Sequence, residues 1–334
     1  MARKENYLIT GGAGFIGSNY TDHLLARGAK VTIFDNLSRR GADRNLAWLR
    51  EKHGANSFDL VVGDVRQADP LLDVASKADV IVHLAAVTDL NGKTLDYYNA
   101  NIQGTQNIVD ISKKLTSLKT VLFTSSMYVC KPGYIPKSYD DYKPHTLYGE
   151  SKVKGELIVK AVKDAAYKWV IIRPTSIWGP WFNIPYIDFF NIVYQGKYFD
   201  FGRTCTKSYG FVDNTVFQIK KLIDADVHGK TFYLGDEPAI QISEWANEIS
   251  LEMGKGGIKK IPFFLMQSAA WGGDILTKLG IKFPITSFRL SNMTTNNILP
   301  LQDLYAITGS TPVSRLEGVK KTISWLVQHK GYKL

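Results

Sequence analysis

Cysteine is nearly absent: the 334 residues hold two, Cys130 and Cys205. That excludes a disulfide framework and any cysteine-based metal centre, and it suits a reducing compartment, so the expected location is cytoplasmic. No uninterrupted apolar run is long enough to span a bilayer. The opening MARKENYLITGG carries no signal-peptide pattern and runs straight into an apolar segment. Internal repeats, low-complexity stretches and flexible linkers are also missing, which excludes solenoids and tethered modules. Acidic residues are the scarcer charge, 31 against 41 Lys and Arg, for a formal net charge of +10. The basic residues are scattered and form no nucleic-acid motif, so no nucleic-acid partner is expected. An anionic small ligand and a solvated surface account for the excess.

Glycine, by contrast, is concentrated where it matters. Residues 6–10 (NYLIT) read as a short buried strand and residues from Phe15 onward as a helix, with Gly11, Gly14 and Gly17 at and just inside the junction. The first glycine permits a tight turn, the second lets a pyrophosphate approach the backbone, and the third lets helix and strand pack closely. The phosphates would sit on free amides at the helix N-terminus, near Phe15 and Ile16. A second strand, 30–34 (KVTIF), ends in Asp35, 18 residues past Gly17. A carboxylate there can bind both hydroxyls of an adenine ribose and would repel a 2′-phosphate, which favours NAD over NADP. Arg39 and Arg40 follow and are the residues that would accommodate a phosphate instead.

Further apolar strands end in residues suited to the same ligand. They are LVVGDV (60–65) with Asp64 and Val65, VIVHLAA (80–86) with Leu84, Ala85 and Ala86, VLFTSSM (121–127) with Thr124 and Ser126, and WVIIRP (169–174). Asn36 lies beside Asp35, and Asp64 is placed to meet an adenine amino group. Helical stretches at 99–115 and 145–166 run between these strands. Alternating strands and helices imply an α/β, Rossmann-like, doubly wound parallel sheet whose ligands lie beyond the carboxyl ends of the strands. The cofactor lobe is expected over 1–175. A smaller α/β substrate lobe is expected over 176–334, with a segment near 209–219 returning to the first.

Tyr148 and Lys152 in HTLYGESKVKGE stand at i, i+4 and share one helix face. A nearby ammonium and an oxidised nicotinamide would lower the phenol pKa, so that the tyrosine takes a hydroxyl proton while hydride leaves the same carbon. Lys152 would also bond the nicotinamide ribose, and Ser126 would hold the reacting oxygen.

With these residues in hand, the chain resembles the extended short-chain dehydrogenase/reductase superfamily, the branch acting on nucleotide sugars. The resemblance rests on GGAGFIG (11–17), FDN (34–36), GDV (63–65), HLAA (83–86), Asn101 in NIQGT, SS (125–126), Tyr148 with Lys152, and RPTSIWGP (173–180). It continues through KSYGFVDN (207–214) and the tail around 313–325. It implies a catalytic set of Ser126, Tyr148 and Lys152, with Asn101, Pro174 and Ser176 positioning those groups and the nicotinamide. Asn183, Lys207 and Arg289 fall where the family contacts a nucleotide diphosphate. A homodimer through a four-helix bundle of the 99–115 and 145–166 helices is also implied. The stretch 35–49 particularly resembles 2-epimerases of CDP-linked dideoxysugars. Where dehydratases of the superfamily carry an acid just after the catalytic Ser/Thr, this chain has Met127 and then Tyr128, which disfavours water elimination. Asp89 either faces the sugar or caps a helix.

One segment stands apart. Residues 261–284 (IPFFLMQSAAWGGDILTKLGIKFP) are apolar, read as helical, and follow the basic stretch GKGGIKK. A lid or core helix, a partner interface and peripheral membrane contact are all compatible with it. The function expected first is an NAD-dependent nucleotide-sugar epimerase working through a transient keto-sugar. The alternatives are a reductase or dehydrogenase of a keto-sugar or hydroxysteroid-like substrate and, lastly, a non-catalytic dinucleotide sensor.

Overall fold

The computed structural model describes residues 4–182, 186–225, 227–278 and 286–334, with the side chains of 278, 288, 289, 292 and 293 outside the description. Six parallel strands come from the first half of the chain: β1 (Asn6–Thr10), β2 (Lys30–Asp35), β3 (Asp59–Val62), β4 (Val80–His83), β5 (Thr120–Thr124) and β6 (Lys168–Pro174). A seventh, Lys230–Leu234, joins beside β6. The spatial order is β3-β2-β1-β4-β5-β6 followed by this strand, all parallel. This is the expected doubly wound sheet, and its strand order reverses between β1 and β4, where such folds open a ligand crevice.

Side chains alternate across the sheet with the period of the strand. Tyr7, Ile9, Ile33, Val82 and Ile172 point to one face, against helices α1 (Phe15–Leu25) and α2 (Ala42–His53). Leu8, Phe34, Ile81, Val121 and Ile171 point to the other, toward α3 (Ala68–Ala75), α4 (Asn99–Ser112) and α5 (Leu147–Lys160). Burial on both faces explains why the strands read as near-continuous apolar runs. Helices α4 and α5 pack on each other and are shorter than the periodicity suggested. The strands also stop early, β4 at His83 and β5 at Thr124, because the chain leaves the sheet to line the crevice.

Beyond β6 the chain builds a cap. Ser176–Trp178 pairs with Tyr209–Phe211, Thr206–Lys207 with Ile240–Gln241, and Phe199–Asp200 with Lys259–Lys260. Helices surround these short ladders, while helix Val212–Asp224 packs back onto α1 and leads into the seventh strand. The cap core is aromatic: Trp178 lies 5.0 Å from Trp245 and 5.0 Å from Phe211, ring centre to ring centre. The cap is stitched to the glycine loop by Phe15 against Phe182 (6.3 Å) and by the Asn19 amide donating to the Pro180 carbonyl (3.4 Å). Among the described residues no helix is long and apolar enough to cross a membrane. Both cysteines are free and buried.

Candidate active site

The glycine loop is a cradle that side chains would fill. Gly11 has φ +73°, and a Cβ there would lie 2.6 Å from the Ala85 amide nitrogen. A Cβ on Gly17 would lie 2.3 Å from the Gly11 carbonyl oxygen. Gly14 precedes α1 with no side-chain cap, so the amides of Phe15 and Ile16 open the helix uncapped, as an anion-binding N-terminus requires. The loop is held from outside itself. The Ala13 amide donates to Asp35 Oδ2 (3.0 Å), and Asn45 of α2 donates to the Ala13 carbonyl (3.0 Å). Asp35 also accepts from the Leu37 amide (2.8 Å), and burial still raises its pKa against these two bonds. The residues present fit a dinucleotide: a bare backbone for the diphosphate and a buried carboxylate at the end of β2 for the ribose.

The other crevice residues are more occupied with protein. Asp64 is gripped by Arg66 through Nε (3.0 Å) and Nη2 (2.7 Å), and chiefly the Arg66 hydrogen bonds hold its carboxyl below the usual range. Asn36 bonds to Asp64 in turn. Val65 is buried against α4, and its carbonyl accepts from Asn107 (2.8 Å). Leu84 and Ala85 leave β4 tied to Thr10, and Ala86 follows them. The Arg39 guanidinium donates to Thr88 (2.9 Å), and its charge reaches Tyr148.

The proton-transfer candidates meet at the end of β5. Tyr148 and Lys152 are buried on α5, and Ser126 is buried just after β5. A hydrogen bond joins Tyr148 to Ser126, whose Oγ also accepts from the Tyr128 amide (3.2 Å). Lys152 Nζ donates to the Thr124 carbonyl (3.0 Å) and lies 6.0 Å from the Tyr148 ring centre. The sequence led us to expect the ammonium and an oxidised nicotinamide together to lower the phenol pKa. In the protein alone, burial pushes Tyr148 up to about 12, against the Ser126 bond and the Arg39 charge. Burial likewise pushes Lys152 down to about 8, with Glu156 opposing. A buried phenolate loses more solvation than these neighbours return.

Asn101 is fully engaged as a bracket. Its side chain exchanges bonds with the Val87 amide (2.7 Å) and carbonyl (3.0 Å) and donates to Ser151 Oγ (2.9 Å), which donates to the Tyr148 carbonyl (2.7 Å). It thereby ties the loop after β4 to the turn of α5 that carries Tyr148 and Lys152. Pro174 ends β6, and Ser176 hydrogen-bonds Tyr186. Lys207 sits half-buried on its short strand, which bridges to Asn297. Asn183 lies outside the described residues, as does the side chain of Arg289 on helix Ser287–Thr294. Asp89 does not cap a helix. It closes its own loop, accepting from Tyr97 Oη (3.1 Å) and the Asn91 amide (3.0 Å).

A family model decides the broad identity. The NAD dependent epimerase/dehydratase family matches residues 7–193. The chain belongs to this family. CDP-paratose 2-epimerase of Salmonella typhi is 29% identical, over 52% of this chain and 57% of that protein, so the match spans little more than half of either. N-acetyl-alpha-D-glucosaminyl-diphospho-ditrans,octacis-undecaprenol 4-epimerase of Escherichia coli O157:H7 is 25% identical, over 97% of this chain and 96% of that one. In fold, the chain is similar to UDP-glucuronic acid 4-epimerase from Bacillus cereus, solved in complex with NAD. The TM-score is 0.78 at 19% identity, covering 98% of each chain.

Within this family member, sequence reasoning missed three supports. Glu156, one helical turn after Lys152, is buried and pairs with buried Arg173 through two bonds (2.7 and 2.8 Å). Arg173 also donates to Tyr233 Oη and the Tyr139 carbonyl, fixing α5 on β6. The spacing Tyr148, Lys152, Glu156 and the arginine opening RPTSIWGP were the available signals. His83 joins β1 and α4 through Thr10 (2.7 Å) and Thr105 (3.4 Å), and burial with the Lys152 charge pushes its pKa down to about 3. Tyr128 stands edge-on to Tyr148 (6.1 Å) and near His145 (5.8 Å), giving the site a phenolic wall. A surface cavity of about 540 Å³, lined by residues including Trp48, Trp181 and Lys321, holds none of the proton-transfer candidates.

Proposed function

We propose that the protein is an NAD-dependent epimerase of a diphosphate-linked sugar, with a nucleotide diphosphate as the carrier. The observation that carries this reading is the buried Ser126–Tyr148–Lys152 set at the end of β5, on the same edge of the sheet as the glycine cradle with β4 between them, and held by Asn101 to the loop after β4. Gly11, Gly14, Gly17 and Asp35 would hold NAD, with residues 1–175 as the cofactor lobe and 176–334 as the substrate lobe, apart from the helix Val212–Asp224 and the strand Lys230–Leu234, which return to the first. NAD, when bound, supplies reversible hydride transfer and, in its oxidised form, a positive charge. Tyr148 is assigned the proton of the sugar hydroxyl, accepting it at Oη as a keto-sugar forms and returning it afterwards. Ser126 holds the same oxygen. Lys152 holds the ribose and keeps positive charge below the phenol. The pKa near 12 in the protein alone fits a base that becomes competent only when the cofactor's charge is added. Asn183, Lys207 and Arg289 are assigned to the diphosphate. Helices α4 and α5, whose outer faces include exposed Leu157, are assigned to a homodimer bundle.

A second carrier is favoured by one observation. The relative that matches over nearly the full length of both chains acts on a sugar joined through diphosphate to a polyprenol. The test is to incubate the protein with UDP-, CDP-, GDP- and dTDP-sugars and with a polyprenyl diphosphate sugar, following products by NMR. A new epimer without accumulation of reduced nicotinamide is expected. Turnover only with a consumed external reductant or oxidant would replace the epimerase with a dehydrogenase.

A further inference from the structure

The helix Phe263–Lys278 is apolar on two faces, yet only one is covered. Its inner side places Met266 and Ala270 against Leu290, Phe201, Ile261 and Phe263. Its outer side exposes Phe264 (64%), Leu265 (49%), Trp271 (61%) and Ile275 (62%). Phe264, Trp271 and Ile275 stand at i, i+7 and i+11, with Ser268 between the first two bonded back to the Phe264 carbonyl, so they share one face. A helix apolar all round is ordinarily buried all round. Large contiguous exposed apolar surface marks a contact with something.

Charge says what that is. Lys259 and Lys260 are exposed on the strand that leads into the helix. The only acidic side chain between residues 253 and 278 is Asp274. A two-fold contact of this face with a second copy would bring both lysine groups together and repel. Anionic lipid headgroups complement them, while Phe, Leu, Trp and Ile enter the acyl boundary. We propose that this helix docks the protein on an anionic membrane surface.

The docking face adjoins the site. The helix packs on Ser287–Thr294, and the segment after it reaches the loop that follows Ser126. There Asn297 accepts from the Gly133 amide (3.1 Å) and donates to Met127 Sδ (3.9 Å). If the epimerase reading holds, on which this consequence alone rests, the membrane would present a lipid-borne diphosphate sugar at the lip of the cleft.

The test is cosedimentation of the full chain with phosphatidylcholine vesicles, with and without phosphatidylglycerol, in the absence of any sugar. Binding to the anionic vesicles is expected, falling with added salt. The Trp271→Glu/Ile275→Glu variant should weaken it at least tenfold. The Lys259→Gln/Lys260→Gln variant should weaken it about thirtyfold, at roughly fivefold per lysine charge removed. Bound NAD and turnover of a freely diffusing nucleotide sugar should be unchanged in both. Protein that stays in the supernatant at every composition, or variants that bind like the parent, would overturn the proposal. So would a parent that self-associates without binding vesicles and a Trp271→Glu variant that dissociates, since a second copy then covers the face. Vesicle binding is scored without catalysis, so loss of the epimerase reading leaves this result standing on its own.

Discussion

At the carboxyl edge of the sheet, functional atoms are fixed by backbone and by buried side chains close by. In the cap they are fixed by long-range aromatic packing. The cradle is set by three glycines within seven residues, and a single Cβ would close it. The proton-transfer set spans one helical turn plus the end of one strand. In the cap, Trp178 and Trp245 meet from 67 residues apart, and Lys207 is placed by ladders to Ile240 and Asn297. The first region is therefore a geometry that few sequences satisfy. The second is a volume to be filled, and many sequences fill it. Chemistry shared across a family can reside in the first while substrate choice drifts in the second.

The sharpest way to separate the two is Tyr148→Phe. Turnover should fall about a hundred- to ten-thousand-fold, with NAD content and thermal stability unchanged. Kinetics and nucleotide release after denaturation check both halves. Next is Arg173→Met, which strands the buried Glu156 carboxylate. Denaturant unfolding should report a loss of about 3–5 kcal/mol. The pair also predicts a pH dependence. Burial raises the Glu156 pKa, but the Arg173 bonds and charge outweigh it, so the folded value lies below the unfolded one. Its contribution is then complete above the ordinary glutamate range and lost as pH falls through the depressed folded value. The parent should lose stability in that acid window, and Arg173→Met should show no such step.

On the cap side, Trp245→Ala removes a ring that touches Trp178, Phe189 and Tyr209. A cost of about 3–5 kcal/mol and a raised KM are expected, with NAD still bound. Equal loss of NAD would break the distinction between the regions. The smallest effect expected is from Gly17→Ala. Its Cβ would press on the Gly11 carbonyl, costing roughly 1–3 kcal/mol as the loop shifts. Titration with NAD should register that as weaker binding, with substrate affinity in NAD-saturated protein unchanged.

What was legible in the sequence follows the same division. The parallel sheet, the ligand edge beyond its strand ends and the positions of Gly11, Asp35, Ser126, Tyr148 and Lys152 came from local spacing and strand periodicity. The Glu156–Arg173 pair did not, because its partners are 17 residues apart on different elements and each alone looks like a surface charge. The Asp89 contact was not legible, because an acid after a strand gives no sign that Tyr97 will turn back onto it. The raised Tyr148 pKa of the protein alone was not legible, because i, i+4 spacing reports proximity, whereas burial sets the larger effect. The cap offered apolar content but no partner list, so the exposed stripe on Phe263–Lys278 became visible only when one of its faces was found covered.

The central claim is that the sugar carbon loses and regains hydride held within the protein. Running the reaction in deuterium oxide and weighing the epimer by mass spectrometry tests it most directly. Hydride return predicts a product with no solvent deuterium on carbon. Deuterium at the inverted carbon would mean proton removal and return there, and would contradict the account.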